Sequence, residues 1–142
     1  MIIKVPLRII DLHHDGFHPL LDITVYGKPF IVVLDTGASK TAFDKTLLQA
    51  LEEALIVDSE RLSTGLGTND MASSTAIIPD LFVGELHISN HEVAVLDLST
   101  INNAYRQMNH PEVLGVLGGD ILMKYKAVID YGKKEVRFKA KA

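Results

Sequence analysis

The chain has 142 residues, 47% of them hydrophobic and 23% charged, which is enough to bury a sizeable core and unlike the composition of a disordered chain. A formal net charge of −4 and the absence of cysteine set aside a cationic nucleic-acid surface, a disulfide scaffold, a cysteine nucleophile and a thiolate metal site. No apolar run reaches the roughly 18 residues of a membrane helix, and Met1-Ile2-Ile3-Lys4-Val5-Pro6 lacks the apolar core of a signal peptide. The expectation is a soluble, cytoplasmic protein of one domain, residues 1–142, with neither a membrane nor a nucleic-acid partner.

Ile2 to Ile10 reads as extended, and His13-His14-Asp15-Gly16 is a turn signal. Leu20 to Val25 alternates as a strand does, with Leu21, Ile23 and Val25 against Asp22 and Thr24. Tyr26-Gly27-Lys28-Pro29 marks a turn, and Phe30-Ile31-Val32-Val33-Leu34 then runs apolar without a break. These two segments are expected to pair as a hairpin, the second buried on both faces. Asp44 is placed to cap a helix carrying Leu47, Leu48 and Leu51 inward and Glu52 and Glu53 outward. Thr64 to Asp70 is small, polar and glycine-rich, and predicts a mobile hairpin or loop.

Thr75 to Ile78, Leu81 to Val83, Leu86 to Ile88 and Val93 to Leu96 predict short strands separated by turns. Ser99 to Glu112 is polar, and predicts a surface excursion with some helix. Val113 to Leu117 predicts a strand, Gly118-Gly119 a turn, and Ile121 to Tyr125 a short helix. Ala127 to Asp130 and Val136 to Phe138 predict a closing hairpin around Tyr131 to Lys134. The order of buried strand, glycine turn and helix occurs around Asp35 and again around Gly118, an echo of structure rather than of sequence.

Asp35 ends the apolar run and is followed by Thr36, Gly37 and Ala38, small residues that let backbone approach closely. A carboxylate there is drawn toward the interior, where its charged form is penalised unless hydrogen bonds or a shared proton compensate. The plainer alternative is a turn aspartate capping a loop. Asp120, after a diglycine, reads as a helix N-terminal residue favoured by the dipole, and Asp130 as the cap of the last hairpin. His13, His14 and His18 beside Asp15-Gly16 read as a solvated turn rather than a metal site. Gly65-Leu66-Gly67 lacks the lysine of a phosphate loop. Neither a metal nor a cofactor is expected, and no serine–histidine hydrolase signature is present.

Phe30 to Thr41 resembles the active-site loop of the retropepsins, the retroviral-type aspartic proteases, in which hydrophobic residues lead into Asp-Thr-Gly-Ala. Val116-Leu117-Gly118 resembles the second signature of that family, two apolar residues and a glycine before a short helix. Gly118 to Leu122 and Ala127 to Asp130 are similar to the cellular members, the DNA-damage-inducible-type proteases and their bacterial relatives. Gly65-Leu66-Gly67-Thr68 is similar to the glycine-rich flaps of the same group, and the likeness runs in order from about residue 20 to residue 138.

The resemblance implies a mainly β fold, a closed retropepsin-like barrel with two short helices. It implies catalytic roles for Asp35, Thr36 and Gly37, and a cleft floor at Ala38 and Ser39. Gly65, Leu66, Gly67 and Thr68 would close over a peptide, and Leu117 and Gly118 would pack beneath the catalytic loop. Ser39-Lys40 stands where retroviral enzymes carry acidic residues, and Ser99 to Glu112 is longer than in the compact retroviral protomer. The chemistry needs two carboxylates about 3 Å apart, one keeping a proton while the other activates water. A single Asp-Thr-Gly is present, so a second copy must supply the partner and the expected state is a homodimer acting on a peptide or protein. A dimerisation or peptide-binding module without turnover is the alternative.

Overall fold

The structure, a computed structural model, describes residues 1–51, 54, 56–65 and 68–141, with backbone alone over 58–65 and 68–73. The extended N-terminal stretch is two strands rather than one, β1 (Ile2–Pro6) and β2 (Arg8–Asp11). Pro6 has no N–H to offer a ladder, and the chain changes partners at Leu7, whose N–H bonds the Lys134 carbonyl. A 3₁₀ turn, His13–Asp15, and Gly16 at φ 94° then reverse its direction. β3 (Phe17–Val25) and β4 (Lys28–Leu34) form the expected hairpin, paired from Leu20↔Val33 to Val25↔Lys28. Its two-residue turn holds Tyr26 at φ 51° and Gly27 at φ 72°, the left-handed pair that matches the twist of a tight hairpin.

β5 (Ala42–Asp44) runs into α1 (Lys45–Gln49), and the Asp44 carboxylate caps that helix by accepting the Leu47 N–H at 3.0 Å. β6 (Ile56–Gly65) and β7 (Thr68–Val83) pair antiparallel, and β7 pairs next with β8 (Leu86–Leu96). The short strands expected between Thr75 and Leu96 are thus parts of two long ones. Pro79 and Asn90, which fall in the gaps between the expected strands, lie mid-ladder between the pairs Ile78↔His91 and Asp80↔Ser89, so one irregularity faces the other.

α2 (Ser99–Gln107), β9 (Gly115–Leu117), α3 (Gly119–Lys124), β10 (Val128–Asp130) and β11 (Glu135–Lys139) complete the order. Three α-helices therefore stand among the described residues where two short ones were expected. The third, α2, lies inside the polar excursion, where some helix was expected.

Strands β3, β4, β9, β5, β8 and β7 are neighbours in that order, and β7 returns to β3 through Thr24↔Phe82 and Val25↔Leu81. The ring is a closed six-strand barrel, the mainly β fold that the sequence led us to expect. β2 extends it beyond β3 and β6 beyond β7, while β1, β11 and β10 make a separate three-stranded sheet.

Alternation explains the unbroken apolar run of β4. Val32 and Leu34 point into the barrel with Leu21, Ile23, Phe43, Leu117 and Phe138. Ile31 and Val33 point out, where Ile101, Tyr105 and Met108 cover them with Leu20 and Val113. Burying each such side chain contributes about 1.5–3 kcal/mol, so α2 stabilises the outer face of β3, β4 and β9 as the barrel core does the inner. Among the described residues no helix is long and apolar enough to cross a membrane.

Candidate active site

β4 ends at Leu34, and the chain loops through Asp35 to Thr41 before β5 begins. β4 and β9 run parallel from Val32↔Gly115 to Leu34↔Leu117, and the Asp35 N–H adds one more bond, to the Leu117 carbonyl at 3.0 Å. The loop then tightens on itself. Gly37 donates its N–H to Asp35 Oδ1 at 2.9 Å, and Ala38 donates to the Asp35 carbonyl at 3.2 Å. Asp35 and Ala38 are half-buried, while Thr36, Gly37 and Ser39 are exposed.

Leu117 and Gly118 close the loop from beneath. Gly119 donates its N–H to the Ala38 carbonyl at 2.8 Å, and Gly118 donates to Thr41 Oγ1 at 3.1 Å. A Cβ on Gly118 would fall 2.7 Å from the Lys40 carbonyl carbon and 2.8 Å from the Ala38 oxygen, so only glycine lets the two segments lie this close.

Thr41, 1% exposed, links the loop to α3. Its N–H and its hydroxyl donate to Asp120 Oδ1 at 2.9 and 2.8 Å, and Asp120 Oδ2 meets His91 Nε2 at 2.8 Å. The carboxylate can only accept, so His91 carries a proton on Nε2. Burial pushes the Asp120 carboxyl up, but hydrogen bonds from His91 and Thr41 outweigh it and hold the group below its ordinary value. Asp120 thus ties α3, β8 and the loop together, more than the dipole interaction expected of it.

Asp120→Ala should cost about 2–3 kcal/mol, read as a lowered melting temperature, because the Thr41 donors and His91 lose their acceptor in a part-buried site. Asp120→Asn keeps an oxygen for Thr41 and should cost less. A carboxyl held low in the folded state contributes stability that is present above its unfolded value, near 3.9 by ordinary reference, and lost as pH falls through the folded one. The acid-side loss should therefore shrink in Asp120→Asn.

On the far side of the loop, Asp35 lines a cavity of about 160 Å³ with His18, Pro19, Val33, Leu34, Ile101, Tyr105 and Val116. Tyr105 is 2% exposed, and its hydroxyl meets His18 Nδ1 at 2.6 Å. Burial, and then the charge of Asp35, push the Tyr105 hydroxyl up to about 12, so it stays neutral.

Residues 21–121 match the aspartyl protease family. The chain belongs to that family. Its fold is similar to a retropepsin-like aspartic protease from Rickettsia conorii, with a TM-score of 0.58 at 18% identity, covering 97% of this chain and 89% of that one. It is also similar to EIAV protease complexed with the inhibitor HBY-793, with a TM-score of 0.59 at 18% identity, covering 83% of this chain and 97% of that one. No curated protein matches the chain.

Within this retropepsin-like frame the structure brings Asp35 against Leu117 and Ala38 against Gly118 and Gly119, with Thr36 and Gly37 between them in the loop. Ser39 sits at the exposed end of the same loop. Gly65 and Thr68 pair with each other at the tip of the β6–β7 hairpin, while Leu66 and Gly67 lie outside the described residues. Sequence reasoning passed over Thr41 and gave His91 no role. Nor did it single out Ile101 and Tyr105, although these two and Met108 fall at i, i+4 and i+7, a helical stripe inside an otherwise polar segment.

Proposed function

We propose that the chain is one half of an aspartic endopeptidase, a single domain over residues 1–142 that works as a homodimer on peptide or protein substrates. The observation that carries this is Asp35 itself, half-buried at the end of a barrel strand, held by the Gly37 N–H and clamped from beneath by β9 and α3. Two such carboxylates brought within about 3 Å share one proton, so one acts as base toward a water while the other protonates the substrate carbonyl.

The partner carboxylate has no source within the chain's other candidates. Asp120 is engaged by Thr41 and His91, and Asp130 by the Lys133 N–H and Arg137. A second copy with its own Asp35 answers the need, and two-fold pairing is the common way to bring it. Thr36 is exposed and, among the described residues, makes no side-chain hydrogen bond within the chain, which suits a brace across the two-fold axis. β10 has a neighbour on one side only among the described residues, and Val128, Tyr131 and Met123 around it are exposed apolar groups that a second copy would cover. The β6–β7 hairpin, in which Gly65 pairs with Thr68, would close over an extended peptide held as an added strand.

Specific activity on an unfolded protein substrate should fall on dilution, in step with dissociation of the dimer followed by sedimentation. A monomer that cuts with undiminished specific activity would overturn this reading. A stable dimer that cuts nothing would favour the module without turnover.

A further inference from the structure

A second cavity, of about 810 Å³, shares no residue with the one beside Asp35. Its floor is apolar: Ile3 and Leu86 are buried, and Tyr125 and Ala140 are half-buried. Three contacts hold its walls together. Lys139 donates its N–H to the Tyr125 carbonyl at 2.7 Å, which joins β11 to the end of α3, and Ala140 donates to the Met1 carbonyl at 2.9 Å. Gly84 lies so close to Val5 that a Cβ there would fall 2.9 Å from a valine methyl, which seats the β7–β8 turn against β1. The volume falls within the roughly 300–1,000 Å³ of ordinary small-molecule sites.

The charge around that floor is one-sided, in a chain whose formal net charge is −4. Lys124, Lys126, Lys139 and Lys141 line the cavity and are exposed, against a single acidic residue, Glu85. Among the described residues none of the four lysines is in an ion pair. His87, on the same wall, is already matched by Asp80 at 2.6 Å. Lys124 Nζ stands 5.5 Å from the centre of the Tyr125 ring, which keeps its ammonium over the cavity's own wall. The helix dipole favours Lys124 and Lys126 at the end of α3, but it does not account for Lys139 at the end of β11 or Lys141 beyond it. Lys126 is at φ 49°, left-handed backbone that glycine adopts without strain after a helix. A lysine there accepts strain and adds a cation to the cavity.

We infer that this cavity binds an amphipathic anion, an apolar chain ending in a carboxylate or phosphate group. The chain lies on the floor of Ile3 and Leu86, and the charged end sits among the four lysines. An anion without an apolar part leaves the floor wet, and a neutral chain leaves the lysines unmatched. The lysine stems add apolar wall while their ammonium groups stay in water. The site stands apart from the reading of Asp35, and its test needs no cleavage.

Titration calorimetry of the full chain at low salt, with decanoate and with decyl phosphate below their micelle concentrations, should show saturable binding of one molecule per chain. Decanol and inorganic phosphate should bind about tenfold more weakly or worse, and added salt should weaken decanoate. Replacing Lys139 and Lys141 together by glutamine should lower decanoate affinity by about tenfold, and both positions are exposed enough to leave the fold intact. Lys126→Gly should also lower it several-fold, yet leave the melting temperature unchanged or higher, since glycine relieves the left-handed backbone. A lysine that serves only the fold would show no loss of affinity there. The inference fails if decanoate does not bind, if decanol binds as tightly, if phosphate alone matches decyl phosphate, or if both lysine variants keep full affinity. A hexaglutamate peptide that displaces decanoate and binds more tightly would also overturn it, and would point to an acidic protein segment instead.

Discussion

Asp35→Asn should leave a folded dimer that has lost cleavage, with turnover down by about 10⁴-fold or more. The substitution preserves shape. Its amide oxygen can still accept the Gly37 N–H, and the backbone bond from residue 35 to the Leu117 carbonyl does not involve the side chain at all. Stability should therefore change by no more than about 0.5 kcal/mol, the ordinary range where no buried partner is orphaned. An amide cannot accept a proton from water, so the base of the proposed reaction is gone while everything that positions it remains. Measured together, an unchanged melting temperature and lost cleavage separate chemistry from folding.

The same variant reads out the number of carboxylates needed. If chains of the two kinds are mixed in equal amounts and exchange freely, roughly a quarter of random pairs carry two Asp35 residues and about half carry one. When both carboxylates are required, activity per unaltered chain should drop to about one half. Activity proportional to the unaltered chains alone would show that a single Asp35 suffices, and the dimeric mechanism would fail even if Asp35→Asn by itself were inactive.

The loop around Asp35 was legible because its constraints are local: a buried strand, a carboxylate and small residues in one stretch of chain. The strand β4 was legible for the same reason, though its reading as buried on both faces had two different causes. One face packs in the barrel, which hydrophobic alternation announces; the other is covered by Ile101 and Tyr105 of α2 and by Met108 at its end, diluted among Asn102, Asn103, Arg106 and Gln107. Long strands were read as short ones because Pro79 and Asn90 carry turn chemistry, and their mutual placement across β7 and β8 is a property of the register. The least legible part was the support of the loop. Thr41, His91 and Asp120 come from a loop, a strand and a helix far apart in the chain, and nothing near any of them in sequence signals a shared hydrogen-bond network.

Gly118→Ala tests that support by steric pressure instead of by removing a bond. The new methyl would meet the Lys40 carbonyl carbon at 2.7 Å, the Ala38 oxygen at 2.8 Å and the Lys40 oxygen at 2.9 Å, all of them backbone atoms with no rotamer to change. Something must shift, and overpacking of this kind costs about 1–3 kcal/mol. The barrel strands are held by continuous ladders on both sides of β9, so the loop is the weaker member and should yield. Its movement strains the bonds from Gly119 to Ala38 and from Gly118 to Thr41, and with them the position of Asp35. A displacement near 1 Å at a reacting group can cost about 10²-fold in rate. Gly118→Ala should therefore lower cleavage by on the order of 10²-fold in a protein that still folds and dimerises, with a melting temperature reduced but a transition still cooperative. Full activity with an unchanged melting temperature would mean that the loop is not clamped from beneath, and the role given to β9 and α3 in holding Asp35 would be wrong.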